Sequence, residues 1–143
     1  MKRVISVITI ITVMLCLASC RSVLYTSSYR AVGFVHSNTK SNCKARFVKL
    51  DGTYVFKLKK SSGNDCDLGY IASLEEGELT VCYDSLGVKE PLISVKAEEE
   101  LEGRGGYVTG VGTVYVIIEA ASAKGSVEVW LNEQNQIERT LKK

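Results

Sequence analysis

Few residues in this sequence have the types and spacing that chemistry requires. His36 is the single histidine, which excludes a His-rich metal centre and leaves any Ser-His-Asp triad dependent on that residue alone. It stands in HSNTKSNC, a polar, loop-like stretch that reads as solvated, with Cys43 seven residues further on. A thiol–imidazole pair needs a third group to orient the base, and no such group is apparent nearby. No nucleophile elbow, H-E-x-x-H helix, P-loop or G-x-G-x-x-G turn occurs. These observations point away from catalysis. Asn64-Asp65-Cys66-Asp67 with Gly69 offers part of a calcium loop's oxygen ligands but lacks the further carboxylates and the bidentate Glu. It reads as a turn whose Asn and Asp bond their own backbone. The Glu-rich runs at 75–78 and 98–102 read as solvated loops, so no metal or other cofactor is expected.

Trp130 is the remaining candidate. It has the opposite strand parity to Val127, Val129 and Leu131, and so shares a face with Glu128 rather than with the expected core. An exposed aromatic on a sheet face can stack on a sugar ring. The same side chain could instead cover the C-terminal tail through Ile137 and Leu141, and both readings stand at this point.

The N-terminus carries a different kind of chemistry. Lys2 and Arg3 precede an apolar stretch from Val4 to Leu17, the arrangement of an export signal. At about 14 residues the stretch is shorter than the roughly 20 that span a bilayer core. Leu17-Ala18-Ser19-Cys20 resembles the lipobox of bacterial lipoproteins, in which an aliphatic residue and two small ones precede the modified cysteine. The resemblance implies a signal peptide over 1–19, a lipid on Cys20 and attachment to the cell membrane or outer membrane, facing away from the cytoplasm. An ordinary cleaved signal or an uncleaved anchor are the alternatives. Two acyl chains are enough for stable anchoring.

Removal of 1–19 changes the charge arithmetic. The whole chain is +2, with 18 Lys/Arg against 16 Asp/Glu, and Lys2 and Arg3 account for that excess. The mature chain is neutral, which argues against nucleic-acid binding. Its charges are nevertheless uneven, at +8 over 21–60 and −8 from 61 onward. Strands from the two halves that interleave would pair these charges across the surface. A basic patch facing anionic headgroups or acidic glycans is the other possibility.

Besides Cys20 the mature chain holds Cys43, Cys66 and Cys82, and an oxidising compartment makes one disulfide plausible. A hairpin about Glu75-Glu76-Gly77 would put Cys82 opposite Tyr70 or Ile71 and some 13 Å from Cys66. That exceeds the roughly 7 Å a bridge tolerates. Cys43–Cys66 is therefore the expected pair, closing a loop of about 23 residues and contributing roughly 3 kcal/mol.

These residues must be positioned by strands. Tyr54, Phe56 and Leu58 alternate with Val55, Lys57 and Lys59, and Leu68, Tyr70, Ala72 and Leu74 continue the period of two. Leu79, Val81 and Tyr83 follow, then a turn at 84–87 and a short strand over 92–96. The run 114–118 is apolar on both faces, as a covered central strand would be. Glycines at 52, 63, 77, 87, 105–106, 112 and 125 separate the runs, and no long window reads as an amphipathic helix. The expected fold is all-β, a single antiparallel sandwich over 31–131. A tether at 20–30 precedes it and a polar tail at 132–143 follows.

The segments GTYVFKLKK, LEEGELTVCYDSLG and GTVYVIIEAASAKGSVEVWL resemble small β-sandwich lipoproteins of bacterial surfaces. More distantly they are similar to the pre-peptidase C-terminal, jelly-roll accessory domains of secreted peptidases. The shared pattern lies at 52–58, 77–87, 112–118 and 125–129, about 80 residues in all, and implies architecture rather than a ligand. Two functions follow as expectations. The first is a membrane-anchored, non-catalytic structural or interaction module with a protein partner. The second is a glycan-binding or calcium-dependent adhesion lipoprotein.

Overall fold

The structure, a computed structural model, describes residues 25–133. The expected signal 1–19, Cys20, the first part of the tether and the tail from 134, with Ile137 and Leu141, lie outside the described residues. Every regular element among the described residues is a strand: β1 (Ser28–Val32), β2 (Val35–Asn38), β3 (Asn42–Lys60), β4 (Cys66–Asp84), β5 (Lys89–Lys96), β6 (Glu100–Val108) and β7 (Gly112–Leu131). The all-β antiparallel sandwich is the observed class, built in an unusual way. β3, β4 and β7 are 19, 19 and 20 residues long, several times the usual strand. Each bends at its middle, so one sheet folds over on itself.

The bend lies at register breaks. β3 and β7 slip between Phe47 and Gly52, and β4 and β7 slip between Leu74 and Glu78. Gly77 sits in this crease at φ 78°, where an added Cβ would lie 2.3 Å from the Ser122 carbonyl oxygen. Only glycine fits such a position. Across the crease Ser122 itself adopts φ 45°, and its amide donates to Asp51 Oδ1 at 2.6 Å. β1 and β2 pair with the two halves of β3 on one side. β5 and β6 pair with the two halves of β4 on the other. Two five-stranded layers result. The Trp130 layer runs β2, β3, β7, β4, β6, and the Tyr115 layer runs β1, β3, β7, β4, β5.

One core lies between them. Phe47, Leu50, Phe56, Leu58, Leu68, Leu79, Val81 and Val116 are buried there, each contributing about 1.5–3 kcal/mol by leaving water. β7 is central, pairing with both β3 and β4, as the run 114–118 implied. Ile117 is buried on the outer face of the Tyr115 layer, so that strand is covered on each side.

Three expectations are corrected. The hairpin at Glu75-Glu76-Gly77 does not form: both halves of β4 pair with β7, Ala72 with Val127 and Thr80 with Glu119, and Gly77 makes a bulge instead of a turn. The Cys43–Cys66 disulfide is absent, and Cys43, Cys66 and Cys82 are free and buried. Cys43 opposes Val129, which opposes Tyr70, so Cys43 and Cys66 stand two strands and four residues apart, on the order of 16 Å. Finally, β1 begins inside the expected tether, β2 takes up the loop-like HSNT stretch, and β6 contains Glu100 and Glu102 of a run read as a loop. β1 and β2 are exposed along their whole length, so burial imposes no hydrophobic alternation on them.

Candidate binding face

The bend sorts each strand's alternation into inner and outer faces. On the Trp130 layer the outer row of β7 is Ser126, Glu128 and Trp130, flanked by Asn42, Lys44 and Arg46 on β3 and by Gly69, Ile71 and Ser73 on β4. Trp130 opposes Gly69 in the ladder. A Cβ at position 69 would lie 2.2, 2.4 and 2.5 Å from Cε2, Nε1 and Cζ2 of the indole. The near equality of these distances means that the ring lies flat on the glycine. Its Nε1–H donates to Asn132 Oδ1 at 2.8 Å, and Asn132 Nδ2 donates to Asp67 Oδ1 at 2.8 Å. The indole is thus locked in position by its edge, with its second face turned away from the sheet. Asn42 Nδ2 donates to Glu128 Oε1 at 2.8 Å beside it. Two residues toward the crease from Glu128, a polar groove of about 430 Å³ is lined by Arg46, Ser73, Glu75, Lys124 and Ser126. Trp130 stands on the outer face with Glu128, as its parity implied, and the tail named as its alternative cover lies outside the described residues.

The remaining candidates are placed less favourably for chemistry. The Cys43 thiol is 1% exposed and donates to the Val129 carbonyl at 3.5 Å. Burial pushes its pKa up to about 12, so the thiolate a nucleophile needs is strongly disfavoured. Burial likewise raises Cys66 and Cys82. His36 points to the Tyr54 hydroxyl, 3.3 Å from Nε2, rather than to Cys43. At the Asn64–Gly69 segment, read as a turn, the Lys60 ammonium donates to the carbonyls of Ser62 and Asn64. Asp65 accepts from the Tyr107 hydroxyl, and Asp67 from Asn132. Among the described residues no group of three His, Cys, Asp or Glu could hold a metal ion.

An aromatic cluster was not anticipated. Tyr29, Phe34, His36, Tyr54 and Phe56 pack edge to face and tilted, with centroid separations of 4.8 Å for Tyr54–Phe56 and 5.0 Å for Phe34–Tyr54. They close the side of the sandwich where β1 and β2 leave the core open. The pairs Tyr29/Ala31 and Phe34/His36 show strand alternation, the one signal that could have revealed them.

The charge halves do not neutralise one another. Of the three ion pairs among the described residues only Lys44–Glu128 joins them, while Lys89–Glu119 and Lys124–Glu75 lie within the acidic half. β3 carries six Lys/Arg side chains and β1 adds Arg30, whereas β2 adds none, so topology leaves that side of the sheet basic; β5 and β6 balance Lys89, Lys96 and Arg104 against Glu90, Glu100 and Glu102.

No protein-family model matches the chain, and no curated protein matches it. Among solved structures, the chain is similar to a family 29 carbohydrate binding module complexed with mannohexaose, at 12% identity and TM-score 0.41 over 73% of this chain and 77% of that one. A second likeness is to Drosophila melanogaster CENP-C bound to CAL1, at 13% identity and TM-score 0.32 over 73% and 74%. Likenesses this low carry no ligand or partner across.

Proposed function

We propose that this chain is a non-catalytic binding module, exported and held on a membrane by lipid on Cys20, whose Trp130 face receives a glycan. The observation that carries the reading is the indole laid flat on Gly69, on the central strand of a largely polar sheet face and at that face's open end, away from the crease. Pyranose rings stack on such surfaces through their C–H groups, while hydroxyls bond to neighbouring carboxylates and amides. Glu128 and Asn42 stand next to the ring for that purpose, and the groove lined by Arg46, Ser73 and Ser126 continues along the same strands. A rigid aromatic costs little conformational entropy on binding, and the bond to Asn132 has already fixed the rotamer.

Trp130 is the sole tryptophan, so intrinsic fluorescence reports on the site alone. Titration with a panel of neutral and acidic polysaccharides is expected to shift the emission for at least one. Trp130→Ala, which removes the fluorophore and is therefore followed by calorimetry, should weaken that binding at least about tenfold, equivalent to the roughly 1.4 kcal/mol of a single stacking contact, with unchanged circular dichroism. Unaltered emission across the panel would reject the glycan. Lipidation has its own test: metabolic labelling with palmitate is expected to mark the protein and to vanish in Cys20→Ser.

A further inference from the structure

The two ends of the folded sheet differ. The crease end holds the bulges and the β1–β2 and β5–β6 connections, whereas the open end carries the β2–β3, β3–β4, β4–β5 and β6–β7 loops. Leu86 and Val88 in the β4–β5 loop are 72% and 64% exposed, and Val111 in the β6–β7 loop is 69% exposed. Register makes these loops neighbours. Asp84 opposes Tyr115, and β7 extends three residues beyond that point to Gly112, alongside the residues that follow Asp84. Three bare aliphatic side chains therefore project from one end of the molecule.

The chain enters the domain at this same end. Tyr25 donates its hydroxyl to Asp84 Oδ2, and Asp84 Oδ1 accepts the Gly87 amide at 2.7 Å. One buried carboxylate thus ties the entering segment to the loop that bears Leu86. The Tyr25 ring also packs on Tyr115 at 5.2 Å. Cys20 lies five residues before Tyr25, a reach of at most about 18 Å. Lys40, Lys57 and Lys59 are exposed at this end. Acids stand there too: Asp84 is buried, while Asp65, bonded to Tyr107, Glu90, bonded to Tyr83, and Glu133, bonded to the amides of Ser61 and Ser62, lie at or near the surface with their formal negative charge.

We infer that the open end is a lipid-docking tip: Leu86, Val88 and Val111 enter the interfacial region of the membrane, and the lysines around them meet anionic headgroups. Short aliphatic insertion combined with basic side chains is the recognised physics of reversible interfacial binding. The inference rests on the lipid-anchor reading for its geometry. It sets the axis of the domain upright, with the crease outermost and Trp130, one residue from the open end of β7, close above the membrane surface.

The test places an environment-sensitive fluorophore at Val111→Cys, with Val35→Cys, exposed near the crease, as control; the native thiols are buried. Mature full-length protein is mixed with vesicles of phosphatidylcholine and phosphatidylglycerol, and its mass is measured in parallel. A blue shift and protection from aqueous iodide at position 111, absent at 35, is the expected result. In the non-lipidated Cys20→Ser protein, adding Leu86→Ser/Val111→Ser should lower partitioning about tenfold. A mass without lipid removes the anchor but leaves the probe to judge the tip. A position-111 probe that stays water-exposed on vesicles overturns the inference, whatever the mass.

Discussion

The indole of Trp130 occupies the volume that a side chain at position 69 would fill, and this places a flat aromatic surface on a polar sheet face. The two residues face each other across the β4–β7 ladder, so neither alone makes the platform. Gly69→Ala is expected to lift the ring from the sheet, cost about 1–3 kcal/mol through overpacking and red-shift the tryptophan emission. If binding and emission stay unchanged, the platform is not the contact surface.

The crease is where the fold is most exacting. A Cβ at Gly125 would lie 2.0 Å from the Ser73 carbonyl oxygen, backbone that cannot step aside. Gly125→Ala should destabilise by about 3 kcal/mol or more, seen as a lower urea midpoint at constant slope. Gly63→Ala, where a Cβ meets nothing within 4 Å, should change stability by less than about 0.5 kcal/mol.

Thiol reactivity separates the bridged from the unbridged protein. Native Cys43, Cys66 and Cys82 are expected to resist a thiol reagent at pH 8, because burial raises all three. In denaturant without reductant, all three should react at once. Finding only one reactive thiol there would restore a disulfide.

Alkaline stability should depend on Tyr25. Burial, with the Asp84 carboxylate adding to it, pushes its hydroxyl up to about 12 from the usual 10. The folded state then holds the proton more tightly than the unfolded chain does. This contribution is complete below pH 10 and is lost as pH rises from 10 to 12. Tyr25→Phe should therefore flatten the fall of melting temperature between pH 9 and 11.5 relative to wild type. An equal fall in both proteins would rule out the linkage.

The strand content, the central position of 114–118 and the outward parity of Trp130 were legible in the sequence because alternation is local. A residue's face depends on its immediate neighbours, and strand geometry converts that directly into inside and outside. Pairing is not local. Gly77 has the composition of a hairpin turn, yet becomes a bulge because β7 competes for both halves of β4. The expected disulfide fell with that hairpin, since its geometry assumed the wrong partner strand. Tyr29 lay in the expected tether and His36 in a loop-like stretch, and only their meeting with Phe34 and Tyr54 makes them a cluster. By itself the sequence determined an all-β chain with one outward tryptophan and a lipobox-like cysteine. Only the tertiary structure decided that Gly69 lies beneath the indole and that Tyr25 meets Asp84, because both contacts join residues dozens of positions apart, through a fold whose crease no short window of sequence contains.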